Sequence, residues 1–151
     1  MYILSGIALL LILAGCLWLC FTIDDWSRDL ATNVAATSAN ARNPSLRPIE
    51  SDQQPIEIAE LVCKAAGGIP GWIYLSQEES ADEITLHFVR TTRLMRFKDD
   101  ITVHIRPIHA ERPSPRCQVS AESKSRIGKG DLGQNPRNLA ELMDRLRALL
   151  Q

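Results

Sequence analysis

Three stretches of this chain alternate apolar and polar residues with a period of two, and that alternation constrains the fold most. Ile84, Leu86 and Phe88 interleave with Thr85, His87 and Val89; Ile101, Val103 and Ile105 with Thr102, His104 and Arg106; Cys117, Val119 and Ala121 with Gln118, Ser120 and Glu122. Successive side chains of a strand point to opposite faces, so each run predicts a strand with one covered and one wet face. Such strands belong to an antiparallel sheet, because parallel sheets are buried on both sides and read as continuous apolar runs. A fourth strand is expected at Trp72 to Leu75, after Pro70-Gly71, with Gln77 to Asp82 as a polar turn.

The sheet needs a cover, and two helices supply it. Pro55 suits a first helical position, Ile58, Leu61, Val62 and Ala65 recur on one face, and Gly67-Gly68 stops the run. Near the C-terminus, Asn135 is placed to cap and Pro136 to lead a helix whose stripe is Leu139, Leu142, Met143, Leu146, Leu149 and Leu150. Its outer face carries Glu141 and Arg145 in the favourable i, i+4 order. The expected domain, residues 55–151, is therefore α+β in two layers: an antiparallel sheet of about four strands with both helices on one face.

Upstream, residues 3–23 read ILSGIALLLILAGCLWLCFTI without a charge. As a helix these would rise about 30 Å, the thickness of a hydrocarbon core, which predicts a single transmembrane anchor over residues 1–23. Cys16 closes a Leu-Ala-Gly-Cys box, so a lipoprotein anchored at Cys16 is the alternative; continued apolarity through Phe21 and the lack of an early Lys or Arg favour the uncleaved span. Asp24, Asp25 and Trp26 would mark the exit from the bilayer. Residues 24–54, rich in Ala, Ser, Thr and Asn and broken by Pro44 and Pro48, read as a flexible linker. A small-polar linker points to a cell-membrane protein with an extracytoplasmic domain.

Charge and motifs exclude much of the remaining chemistry. A formal net charge of −1 offers no electrostatic footprint for nucleic acid. Gly128-Lys129-Gly130-Asp131-Leu132-Gly133 spells G-x-G-x-x-G, but no following strand completes a dinucleotide-binding βαβ unit, so no cofactor is expected. His87, His104 and His109 lack acidic or cysteine partners at ligand spacing, and no metal site is expected. Ser120, Ser123 and Ser125 lack the G-x-S-x-G elbow, and no catalytic residue is assigned. Cys63 and Cys117 are placed either as one disulfide or, as is commoner, as buried free thiols.

What remains is a set of charges in two turns: Arg93, Arg96, Asp99 and Asp100 in one, Arg126, Lys129, Asp131 and the helix-leading Asn135 in the other. Both adjoin strands able to share a sheet end. Arginine and aspartate pair in bidentate geometry, so the set is either an ion-pair lock between loops or a grip for a carboxylate or phosphate.

The stretches Thr92-Arg93-Leu94-Met95-Arg96-Phe97-Lys98-Asp99-Asp100 and Ser123-Lys124-Ser125-Arg126-Ile127-Gly128-Lys129-Gly130-Asp131-Leu132-Gly133-Gln134-Asn135 resemble the signature segments of the bacterial and plastid family catalogued as domain of unknown function 1499. The resemblance covers Pro55 to the C-terminus and implies an envelope location, but no settled activity. The chain lacks the Pro-Cys opening of many members around Asn43 to Asp52. The expected function is that of a non-catalytic envelope module, held to the membrane by residues 3–23, whose charged loops bind a partner protein or a small anionic ligand. The alternative is a hydrolase or transferase using Asp99, Asp100 or Asp131 as acid or base.

Overall fold

The structure is a computed structural model that describes residues 2–22, 32–93, 95–108 and 116–151. Helix α1 (Tyr2–Thr22) is followed by β1 (Val34–Ala36), a 3₁₀ turn at Pro44–Leu46, β2 (Ile49–Ser51), α2 (Pro55–Gly67), β3 (Trp72–Glu79), β4 (Ile84–Thr91), β5 (Lys98–Pro107), β6 (Cys117–Ser125) and α3 (Gln134–Leu149). The strands form one antiparallel sheet in the order β1-β6-β5-β4-β3, and β2 pairs with the same strand, β6, as β1 does.

The covered face follows the alternation. Leu86, Phe88, Ile101, Val103, Ile105, Cys117 and Val119 are buried against Ile58 and Val62 of α2 and Leu139, Leu142, Met143 and Leu146 of α3. Helix α2 starts at Pro55, where Glu57 reaches back to accept from the Gln54 amide at 3.2 Å. Cys63 and Cys117 are free thiols, one half-buried and one buried, and burial raises the pKa of both.

Two expectations are corrected. The sheet has six strands instead of about four, because the stretch expected to be a loose linker supplies β1 and β2. Ala35, Leu46 and Ile49 anchor that stretch in the core. The 3₁₀ turn is also tied to α3: Ser45 Oγ donates to Asp144 at 2.9 Å, and Arg147 donates to the carbonyls of Pro44 and Arg47. The N-terminal helix forms, but among the described residues no helix is long and apolar enough to cross a membrane, so the transmembrane helix expected at residues 3–23 is not upheld. Asp24, Asp25, Trp26 and His109 lie outside the described residues.

The terminal strand β3 also differs from expectation. It runs on through Ser76, Gln77, Glu78 and Glu79 instead of turning at Gln77, with a register shift against β4 between Tyr74 and Ser76. An edge strand packs on one side only, so polar residues continue it without a buried partner.

Candidate functional site at one end of the sheet

The turns expected to share a sheet end do so. The β4–β5 loop (residues 92–97) and the β6–α3 loop (residues 126–133) meet where β5 begins and β6 ends, and the Arg126 amide donates to the Lys98 carbonyl at 3.0 Å. The first loop is closed by Thr92, whose amide donates to the Phe97 carbonyl and whose Oγ1 accepts from the Phe97 amide, both at 2.9 Å. The structure separates the eight predicted site residues into engaged and open groups.

Asp99 is deeply engaged, at 1% exposure. It shares strand parity with Ile101 and Ile105, so its side chain turns under the helices. Ser125 Oγ donates to its Oδ1 at 2.6 Å and Asn138 Nδ2 to its Oδ2 at 2.9 Å. Asn135 is not the helix cap. Helix α3 starts one residue earlier, after Gly133 in the left-handed region (φ 75°), and Asn135 is wholly buried. Its Oδ1 accepts from Ser123 Oγ at 2.6 Å, while its Nδ2 donates to the Asn33 carbonyl at 2.7 Å and to Ser125 Oγ at 3.0 Å. Arg90, opposite Asp99 in the register, donates to Asn138 Oδ1 and pairs with Glu141 at 3.4 Å. These contacts bond a buried polar patch between sheet and helix α3, as burial demands.

Asp131 does the capping. Its Oδ1 accepts from the Gly133 amide at 2.9 Å and its Oδ2 from the Asn135 amide at 2.7 Å, placing a carboxylate at the positive end of α3. Asp100 and Arg126 form a two-pronged pair, Nε to Oδ2 at 2.9 Å and Nη2 to Oδ1 at 2.7 Å. Hydrogen bonding to Asp100, reinforced by its charge, raises the Arg126 pKa further.

Arg93 and Arg96 stand apart. Both are exposed, and among the described residues neither has an ion pair or side-chain hydrogen bond. Together with Gly71, Ile73, Thr91 and Thr92 they line an open cleft of about 400 Å³. Arg96 holds a left-handed backbone (φ 57°), a conformation that costs a non-glycine residue strain. Gly71 (φ 84°) makes the floor: the Thr91 amide donates to its carbonyl at 2.8 Å, and a Cβ at position 71 would meet the Thr91 carbonyl oxygen at 2.6 Å. Lys129 is exposed in the neighbouring loop. Met95, Phe97, Ile127 and Leu132 leave apolar surface around the two loops.

His87 and His104 lie elsewhere, on the open sheet face. His104 Nδ1 is 2.7 Å from Glu83, which also pairs with Arg106 at 3.0 Å, and His87 Nε2 is 3.6 Å from Glu78. Among the described residues no group of three His, Cys, Asp or Glu side chains is arranged to hold a metal ion.

Reasoning from sequence missed Arg90, Ser125, Asn138, Asn33 and Gly71. Strand parity would have found Ser125, two residues beyond Ser123 on the covered face, and Asn138 adjoins Leu139 on the buried stripe of α3. Nothing local marks Asn33, whose amide group donates to the carbonyls of Ser125 and Gly128 across a separation of more than ninety residues.

Fold and site together define a class: a small antiparallel sheet covered on one face by two helices, with an arginine-lined cleft at one sheet end. The family described as Protein of unknown function (DUF1499) matches residues 25–146, and the chain belongs to that family. That match begins well upstream of Pro55 and takes in β1 and β2. No curated protein and no solved structure shows a match to the chain.

Proposed function

We propose that this domain is a binding module that receives an anionic group, a carboxylate or phosphate, in the cleft between Gly71 and the β4–β5 loop. One observation carries the reading: Arg93 and Arg96 line an open cleft without an internal partner, while the other charges of the predicted site are engaged inside the fold or lie outside that cleft. A guanidinium presents fixed donors matched to carboxylate and phosphate oxygens. The strained backbone at Arg96 adds support, since strain held at a surface loop is often retained for the position it gives a side chain.

The hydrolase or transferase alternative draws no support from this geometry. Asp99 is buried and twice hydrogen-bonded, Asp100 faces Arg126, Asp131 caps a helix, and none of the three lines the cleft.

Titration of the full chain with inorganic phosphate and with a glutamate-rich peptide, followed calorimetrically, tests the reading. Solvent-open pairs contribute about 0.5–1 kcal/mol each, so Arg93→Ala/Arg96→Ala should weaken binding roughly 5- to 30-fold. Arg93→Glu/Arg96→Glu should abolish it with the circular dichroism spectrum unchanged. Undiminished binding by the reversed variant would overturn the proposal.

A further inference from the structure

The sheet ends in two three-residue strands on one side and in one long strand on the other. On one side, β6 is covered by β1 and β2; on the other, β3 ends the strand order with its eight residues partnered only by β4. From Ile73 to Glu79 every residue of β3 is exposed, including Ile73, Tyr74 and Leu75 at 59%, 49% and 53%. Within the strand there is no Lys, Arg or Pro to discourage pairing, and its one register shift, between Tyr74 and Ser76, brings Ile73 and Glu78 to the same face. An edge of this length presents unpaired amides and carbonyls that another strand can use.

The charge along this edge is self-complementary. Its N-terminal end adjoins the cleft of Arg93 and Arg96, which Ile73 helps to line, and its C-terminal end carries Glu78 and Glu79. Ile73 pairs with Val89 and Glu78 with Thr85, both on the open sheet face, because Leu86 and Phe88 between them occupy the covered one. The Glu78 side chain is 76% exposed. A two-fold axis between Leu75 and Ser76 would set two copies of β3 antiparallel, with Ile73 of one opposite Glu78 of the other and both on the same face. Each Glu78 would then enter the basic cleft of the neighbouring copy, twice per pair. A parallel arrangement would instead put arginine beside arginine and glutamate beside glutamate.

We infer that the free edge of β3 pairs with the same edge of a second copy of this chain, joining two sheets into one through reciprocal Glu78 contacts with Arg93 and Arg96. This rests on reading the cleft as a receptor for an anionic group and names that group.

Sedimentation equilibrium of the full chain tests it, with Glu78→Arg, Arg93→Glu/Arg96→Glu and the triple charge swap. The wild type should be a dimer. Each single-sided reversal places like charges together at two symmetric contacts and should weaken dimerisation roughly tenfold or more, while the triple swap should return it to within about threefold of wild type. Because α1 is intact in every variant, association through that helix would be indifferent to these changes. A wild-type monomer, or a dimer that ignores Glu78→Arg, overturns the inference. If the chain stays monomeric while phosphate binding still depends on Arg93 and Arg96, pairing fails and the cleft stands. If the pair forms with the swap pattern and phosphate does not bind even to Glu78→Ala, whose cleft no neighbouring carboxylate enters, the small-anion reading fails instead.

Discussion

Replacing Asp99 with alanine is the sharpest probe of how the candidate site is held. Asp99 accepts from Ser125 Oγ and from Asn138 Nδ2, and all three side chains are buried. Its loss leaves two donors in a region closed to water. The Asn138 amide cannot simply turn over, because its Oδ1 already accepts from Arg90 and from Gln134 Nε2 at 2.7 Å. Each orphaned buried donor costs about 1–3 kcal/mol. The Ser125 hydroxyl can swing away, so its share falls at the low end, and about 3 kcal/mol in all is expected for Asp99→Ala. At roughly 4 °C per kcal/mol for a domain of this size, the melting temperature falls by about 12 °C. Urea unfolding of the variant measures the loss, and a double-mutant cycle with Asn138→Ala should return a coupling of about 1–2 kcal/mol. A variant within about 0.5 kcal/mol of wild type, the range of ordinary surface substitutions, would refute the argument that this polar patch fastens α3 to the sheet.

Three further outcomes follow from the same geometry. Gly71→Ala combines a positive φ with a Cβ pressed on the Thr91 carbonyl, and urea unfolding should show a loss of about 2 kcal/mol or more. Arg96→Gly relieves the left-handed backbone, so it should match or exceed wild-type stability by up to about 1 kcal/mol while phosphate titration shows weaker binding. Burial raises the thiol pKa of Cys63 and Cys117, so the unfolded chain loses these protons first. Stability from the buried thiols is therefore present below about pH 8.5 and lost as pH rises through the higher folded values, a decline in the urea midpoint that Cys63→Ala/Cys117→Ala should lessen.

Much of the domain was legible because period two is a strong signal. Strands β4, β5 and β6 lie over the three alternating runs, and α2 begins at its proline. What escaped had weak or conflicting local signals. Strand β1 is only Val34, Ala35 and Ala36 in a run of small polar residues, and a single core alanine does not announce a strand. Helix α1 carries the apolar run that suggests a membrane span, yet among the described residues no helix is long and apolar enough for one. At the site, Asp99 was grouped with Arg93 and Arg96 by proximity in sequence, although its parity with Ile101 already assigned it to the covered face. Asn135 has the composition of a cap, but Asp131 reaches the helix amides first and frees Asn135 to enter the buried patch. That Arg93 and Arg96 lie together beside Gly71 follows from the β3–β4 register, which no local pattern encodes.

Amide chemical shifts of the Glu78→Ala chain, whose cleft no neighbouring glutamate can enter, followed while inorganic phosphate is added at low ionic strength, test the cleft most directly. Saturable shifts should gather at Gly71, Ile73, Thr91, Thr92, Arg93 and Arg96 and leave the strand ends near Glu83 and Pro107 unmoved. Shifts centred on Glu83 and Pro107, or none at all, would contradict it.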